Sequence, residues 1–491
     1  MNERFPSSAC LVLLLSVSSC SMGTEPKGEP LPDRPNVLFL FADDQRSDAI
    51  GAYDNPYIQT PHIDSLVESG YSFRSNYCMG SIHGAVCQPS RAMLMSGRSL
   101  YRVPMNLKDV RTLPVALAER GYKTFGTGKW HNGGESFLRS FQGGKSVMLG
   151  GMSNHLAVPI RDVLADGSFS EVRTGDGFSS ELFADAAIEF LMDQKDSEQP
   201  FFAYVAFTAP HDPRQPPLAM RQAYYDKRPP LPPNYLPQHP FHNGWMVGRD
   251  EVLAGWPRTP EVISDQLCEY YGLITHLDTQ VGRILAALEA SGQASKTVVI
   301  YTADHGLAVG SHGLLGKQSV YEHSMGAPLV LAGPGIPQGE SDALTYLFDL
   351  YPTLCALTTA EGDASVEGQD LGPLWRGERD SVRSSLFLTY EDKMRSVRDA
   401  RFKLIRYPLI DHLQLFDLEL DPHEIVDLAR EPGHQGHVER LWKELERWQE
   451  LTEDPHPLTL AEPLEMDIDL QGRARKADRH QPQWIVDKYF E

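Results

Sequence analysis

The sequence predicts an α/β fold: a large, mostly parallel sheet sandwiched by helices, followed by a small antiparallel sheet with one helix. Three observations predict it. Short, continuously apolar runs (Asn36-Val-Leu-Phe-Leu-Phe-Ala42, Phe201-Phe-Ala-Tyr-Val-Ala-Phe207 and Thr297-Val-Val-Ile-Tyr-Thr-Ala303) each stop at polar residues, as strands buried on both faces of a parallel sheet do. Stretches with apolar residues at helical spacing lie between them. After about residue 375 the pattern changes to brief alternating runs separated by turns. A chain of 491 residues is too long for one simple core and suits a large domain plus a smaller one, here placed at 35–375 and 376–491.

The first twenty residues differ from the rest. Arg4 precedes Cys10-Leu-Val-Leu-Leu-Leu-Ser-Val17, an apolar run too short to span a bilayer and laid out like a secretory signal. Val17-Ser-Ser-Cys20 is similar to a bacterial lipobox, so two readings stand: a lipid anchor on Cys20, or an ordinary signal cleaved nearby. Residues 21–34, rich in Pro, Gly and charge, read as a tether. The expected location is outside the cytoplasm, in the periplasm or at the cell surface, or otherwise secreted. No later run reaches the eighteen or so apolar residues of a spanning helix. With Cys10 and Cys20 in the leader, Cys78, Cys87, Cys268 and Cys355 remain, which is no disulfide framework. The formal net charge of −21 argues against nucleic acid. An anionic substrate would need a local cationic pocket working against the field of the whole molecule.

Each element then has its place in order. The 36–42 run ends in Asp43-Asp44, and Thr60 to Gly70 reads as an amphipathic helix stopped by Gly. Tyr122-Lys-Thr-Phe-Gly-Thr127 leads into Gly128-Lys129-Trp130-His131. The 201–207 run ends in Thr208-Ala-Pro-His211. Residues 212–260, crowded with proline and aromatics, are expected to form an irregular insertion contributing to a substrate pocket. Ser264 to Ser291 is a long packed helix whose Leu267, Tyr271, Ile274, Leu277, Val281, Leu285 and Leu288 are core. The 297–303 run ends in Asp304-His305, and Gly316-Lys317 follows a dozen residues later. Leu386–Tyr390, Met394–Arg398, Phe402–Arg406 and Gln414–Leu418 are short strands, and a helix is expected around Val438–Leu451. In an open α/β sheet, polar groups at the carboxyl ends of strands mark the ligand edge.

The chemistry is carried by a few residues. Adjacent aspartates cannot both stay ionised at close range without a cation. Asp43, Asp44, Asp304 and His305 therefore read as ligands of one hard divalent ion, Ca²⁺ or alternatively Mg²⁺, although imidazole is a soft ligand for Ca²⁺. Cys87 lies in Gly84-Ala-Val-Cys-Gln-Pro-Ser-Arg-Ala-Met-Leu-Met-Ser-Gly-Arg98. That run resembles the Cys-x-Pro-Ser-Arg signature of the type I sulfatases, members of the alkaline-phosphatase-like superfamily.

The resemblance covers roughly residues 35–420 and implies the rest of the site. It implies that Cys87 is oxidised to Cα-formylglycine by a formylglycine-generating or anaerobic sulfatase-maturing enzyme. The modified residue would be both nucleophile and metal neighbour. It implies that Arg91 holds the aldehyde hydrate and sulfate, and that Lys129, Lys317 and the metal neutralise the sulfuryl oxygens. His211 or Lys317 would protonate the leaving alcohol and His131 would take the proton of the second hydroxyl. The function implied is a sulfuric ester hydrolase acting on a sulfated saccharide. A phosphate or phosphonate ester hydrolase of the same superfamily is the alternative, and a non-catalytic sulfated-glycan binder a third reading. Asp304-His305 and Ala-Val-Cys-x-Pro-Ser-Arg are also similar to iduronate-type sulfatases. Arg214, His242, Arg249, Arg395 and Arg398 are candidates for recognising a sugar carboxylate or hydroxyls.

Overall fold

A computed structural model describes residues 1–2, 31–470 and 483–490; the leader with Cys10 and Cys20, and most of the expected tether, lie outside them. Among the described residues no helix is long and apolar enough to cross a membrane. Apart from two small two-stranded pairings, the strands of the first part are, in chain order, β1 (Asn36–Ala42), β2 (Tyr71–Phe73), β3 (Gly80–Ser81), β4 (Lys123–Lys129), β5 (Gly143–Met148), β6 (Phe201–Ala206), β7 (Thr297–Ala303), β8 (Leu329–Ala332) and β9 (Gly339–Ser341). All but β3 join one eight-stranded sheet in the order β9-β2-β8-β7-β1-β6-β4-β5. The central pairs β7–β1, β1–β6 and β6–β4 are parallel; β8 runs antiparallel to both β7 and β2.

The apolar runs behave as strands covered on both faces. Val37, Phe39 and Phe41 enter one core cluster while Leu38, Leu40 and Ala42 enter another, the period-2 alternation of a pleated strand. The helices α1 (Pro61–Ser69), α2 (Cys87–Ser96), α3 (Ser179–Asp193), α4 (Leu218–Asp226) and α5 (Pro260–Ala290) supply the layers. Met93 and Leu94 of α2 pack on the first face. Phe183 and Leu191 of α3 and Leu277 and Val281 of α5 pack on the second. Pro260 at the first turn and the Thr259 side chain, which accepts the Val262 N–H, start α5.

The second sheet is formed by β10 (Leu386–Tyr390), β11 (Met394–Arg398), β12 (Phe402–Tyr407) and β13 (His412–Asp417), antiparallel in sequence order. Its fifth strand is β3, which pairs in parallel with β10 and comes from the segment just before Cys87. The helix α6 (Gln435–Thr452) covers this sheet. The insertion at 212–260 is more ordered than its composition suggested: it holds α4, launched after Pro216-Pro217 and packed on α5, and a short 3₁₀ turn at Glu251–Leu253.

Candidate active site

The carboxyl ends of four neighbouring parallel strands open on one edge, so β7, β1, β6 and β4 deliver Asp304-His305, Asp43-Asp44, His211 and Lys129-His131 to the same place. Backbone bonds fix the strand ends relative to one another: Asp43 N–H donates to Ala209 O (3.1 Å) and Asp304 N–H to Ala42 O (3.3 Å). Asp44 has φ of +66°, a conformation a non-glycine residue rarely takes without a hold on it. Two holds are present. Its N–H donates to Asp304 Oδ1 (3.0 Å), and its carbonyl accepts from the Tyr270 hydroxyl of α5 (2.6 Å).

On β4 an irregularity between Gly126 and Gly128 shifts the register against β5. Gly128 has φ of +83°, and a Cβ there would lie 1.8 Å from Ala206 O, so only glycine fits. The bulge turns Lys129 inward, where its Nζ meets Asp43 Oδ2 at 2.5 Å. Cys87 opens α2, and its Sγ lies 3.2 Å from His131 Nδ1. Lys317 Nζ donates to both oxygens of Asp44 (2.8 and 2.9 Å). His211 Nε2 lies 3.7 Å from Asp44 Oδ2.

Arg91 occupies a different place from the one expected. It is fully buried beneath the cup, where Nε and Nη2 donate to Asp304 Oδ2 (3.2 and 3.1 Å) and Nη1 to Lys129 O (2.8 Å). Its plane covers the Phe41 ring. With a further bond from Nη2 to Asp43 Oδ1 (3.4 Å), the guanidinium braces the carboxylates from below, and it is not among the residues lining the cavity.

The donor set suits a hard cation. Asp43, Asp44 and Asp304 bring carboxylate oxygens within 4.8 Å of one another, and the Cys87 sulfur, an Asp304 oxygen and a His305 ring nitrogen lie equally close together. His305 Nδ1 is 2.9 Å from Gly306 O, so it carries the proton and leaves a lone pair on Nε2. That buried Nε2 has no hydrogen-bond partner, yet it faces Asp44 Oδ1 at 3.3 Å. Lys317 already meets that oxygen, so the unpartnered imidazole lone pair beside the carboxylate cluster is the atom left free to ligate a cation. Three carboxylates are balanced by Arg91, Lys129 and Lys317, so a divalent ion would leave the cup cationic. This is the local reversal that a chain of net charge −21 needs.

Burial, then Asp43 and Asp304, holds the Asp44 carboxyl well above its ordinary range, with Lys317 opposing. For Asp304 burial acts upward too, but the neighbouring cations Arg91 and Lys129 help to hold it low. Burial and then Lys129 and Arg91 push His131 down to about 3; burial and Lys317 lower His211 as well. Burial works against the Lys317 ammonium, but Asp44 and Asp250 outweigh it and raise its pKa.

Above the cup lies a cavity of about 260 Å³ lined by Cys87, His131, His211, Lys317 and residues of the 212–260 insertion, among them Trp245, Arg249 and Asp250. Of the five candidates for sugar recognition, only Arg249 lines it. Arg214 is buried and donates to Gln266. Arg395 is paired with Asp454, both side chains fully buried, and Arg398 is buried against Tyr77 and Glu322. His242 N–H donates to Met466 O, and its Nδ1 accepts from Gly244 N–H. These four are structural because each meets its partner across the fold. Asp212, Trp245, Asp250, Gln318 and Tyr270 were missed. Only the Arg249-Asp250 adjacency in a long insertion gave a local hint.

A family model described as Sulfatase matches residues 35–360, and one described as N-sulphoglucosamine sulphohydrolase, C-terminal, matches 310–451. The chain belongs to the sulfatase family and is a sulfuric ester hydrolase. It is 26% identical to an arylsulfatase of Clostridium perfringens, over 84% of this chain and 93% of the relative. It is 24% identical to an N-acetylglucosamine-6-O-sulfatase of Bacteroides thetaiotaomicron, over 92% of each. A protein solved in complex with its substrate D-glucosamine-2-N,6-O-disulfate superposes with a TM-score of 0.74 at 22% identity, covering 87% of this chain and 99% of that one. The likeness establishes the alkaline-phosphatase-like fold.

Proposed function

We propose that this hydrolase removes sulfate from a sulfated saccharide outside the cytoplasm, with Cys87 converted to Cα-formylglycine and a divalent cation, Ca²⁺, held by Asp43, Asp44, Asp304 and His305. The observation that carries the reading is the convergence at one strand edge of Cys87, His131, Lys129, Lys317 and the carboxylate cluster. A hydrated aldehyde at position 87 would supply two hydroxyls on one carbon, one to attack sulfur and one to expel sulfate, and the cation would polarise the sulfuryl oxygens.

The chain's own groups do the rest. Lys129 and Lys317 set positive charge where the sulfuryl oxygens lie, the electrostatic contribution that usually dominates such a reaction. His131 Nδ1, in reach of the side chain at position 87, accepts its proton. Lys317 Nζ and His211 Nε2 flank the leaving side, and either can pass a proton to the departing alcohol. Arg91 keeps Asp43 and Asp304 in place from below. A saccharide substrate is supported by the relatives' own substrates and by the polar insertion over the cup. The apolar leader and the Val17-Ser-Ser-Cys20 run support export with Cys20 as a lipid anchor.

The test pairs peptide mass with turnover. Protein made beside a formylglycine-generating enzyme should carry the mass of an aldehyde or its hydrate at Cys87 and release sulfate from sulfate esters in preference to phosphate or phosphonate esters. EDTA should remove that activity and lower Tm, and Ca²⁺ should restore both. An unmodified thiol under those conditions sinks the mechanism.

A further inference from the structure

His211 and Lys317 flank the leaving side of the cup, yet they come from loops after different strands. His211 follows β6, Lys317 follows β7, and a single guanidinium joins their surroundings. On the first side, Asp212 turns its carbonyl oxygen to His211 Nδ1 at 2.8 Å and its Oδ1 to the same nitrogen at 3.3 Å. Nδ1 is thereby the donor, and Nε2, 3.7 Å from Asp44 Oδ2, is the nitrogen turned to the cup. On the second side, Asp250 Oδ2 lies 4.0 Å from Lys317 Nζ and accepts from Gln318 Nε2 at 2.7 Å. The Gln318 side chain also accepts the Lys317 N–H (3.1 Å) and donates to Gly84 O (3.0 Å). Arg249 sits between the two carboxylates. Its Nη1 donates to Asp212 Oδ1 (2.8 Å) and Asp250 Oδ1 (2.7 Å), and its Nη2 to Asp212 Oδ2.

The arrangement decides where the Lys317 ammonium rests. Asp212 and Asp250 are both buried, and a buried carboxylate without a cation is costly, so it draws in whichever one is near. Lys317 has two carboxylates within reach. It bonds both oxygens of Asp44 at 2.8 and 2.9 Å and stands off Asp250 by 4.0 Å. With Arg249 in place Asp250 is already served, and the ammonium stays over the cup. Without it, Asp250 would compete with Asp44 for Lys317, and Asp212 would lose the fork that holds its carboxylate beside His211. A planar guanidinium can bridge both carboxylates in one fixed geometry, whereas an ammonium meets them only as a point charge. Arg249 and Asp250 also line the cavity, so this joint lies in the wall of the site and not in the core behind it.

We propose that Asp212, Arg249 and Asp250 are positioning residues, a clamp that keeps His211 and Lys317 aimed at the departing oxygen. The inference rests on the leaving-side assignment of those two residues made above. As the S–O bond to the alcohol breaks, the departing oxygen takes its proton from one of them, so the clamp matters most where that proton is needed. A nitrophenolate leaves without one; an unsubstituted phenolate, far more basic, gains from it. The readout is therefore kcat/KM across a series of aryl sulfates from nitrophenyl to phenyl, on protein matured to equal aldehyde content by peptide mass. Arg249→Gln should cost phenyl sulfate about 10²-fold and nitrophenyl sulfate less than about threefold. Arg249→Lys, which keeps the charge without the fork, should recover part of the loss and serves if Arg249→Gln does not fold. His211→Ala and Lys317→Ala are the references, and at least one should steepen the same dependence. A uniform loss across the series for the Arg249 variants makes the arginine merely structural and overturns the proposal, as does a rise in KM alone, which makes it a substrate contact. If neither reference variant steepens the dependence, the leaving-side assignment falls and the clamp with it. An unmodified Cys87 in the peptide mass removes the mechanism beneath both before any rate is taken.

Discussion

Lys317 holds both oxygens of Asp44 while lining the cavity, so in the proposed mechanism it would serve metal ligand and substrate with one ammonium group. Its removal leaves a crowded carboxylate and takes a positive charge from the sulfuryl oxygens together. Lys317→Ala should lower kcat/KM for an aryl sulfate by about 10²–10³-fold, read in steady-state assays on fully matured protein. This lysine was legible in the sequence, as were Asp43, Asp44, Cys87, Lys129, His131, Asp304 and His305. Each sits at the end of an apolar run or inside a compact motif, and both signals are local. Arg395 and Arg398 show the limit. An arginine on a short strand looks the same whether it meets substrate or a partner, and the partners here, Asp454 and Glu322, are supplied by other elements.

Among the elements, α5 does more than cover the sheet. Its length lets Tyr270 reach across to the turn after β1, where the hydroxyl donates to Asp44 O and accepts from Arg46 N–H (2.9 Å). Tyr270→Phe should remove one of the two holds on the left-handed Asp44 turn. It should cost about 1–2 kcal/mol of stability and weaken Ca²⁺ binding by about tenfold, measured by calorimetric titration of the purified protein. A purely structural tyrosine would lower Tm and leave the dissociation constant where it was. The sequence showed α5 as a helix, although Tyr271 and Leu285, expected in its core, are only partly buried at the core's edge. It could not show the tie from Tyr270, because residues 44 and 270 meet only through the tertiary fold. The two-residue β3 was invisible for another reason: it is too short to show a period of two.

Across the whole molecule, buried titratable groups set a pH window for stability. Burial holds His155 at about 4, His239 at about 3 and His312 at about 4. Each is depressed below its unfolded value of about 6.5, so its contribution is present above that pH and lost as pH falls through the folded value. Burial raises Asp278 to about 6 and Glu424 to about 7. Their contributions run the other way, full below the ordinary carboxylate range and lost as pH rises through 6 to 7. The three histidines outweigh the two carboxyls. Stability should therefore fall by on the order of a few kcal/mol between pH 7 and pH 4, seen as a drop in Tm by calorimetry.

The pairing of β3 with β10 also sets a schedule for synthesis. Gly80 lies so close to β10 that a Cβ would sit 1.7 Å from Thr389 O, and Cys87, six residues beyond Ser81, is only 2% exposed. A maturing enzyme that must grasp the Cys-Gln-Pro-Ser-Arg peptide cannot do so once that strand is docked. Roughly 300 residues separate the two strands, and at roughly 5–20 residues per second the nascent segment waits tens of seconds for its partner. Purified, folded thiol-form protein offered the maturing enzyme afterwards should stay unmodified by peptide mass, whereas the same protein unfolded first should be converted. Under the maturation proposed for Cys87, the C-terminal sheet would act as a clock: its arrival would close the interval in which that residue can be modified.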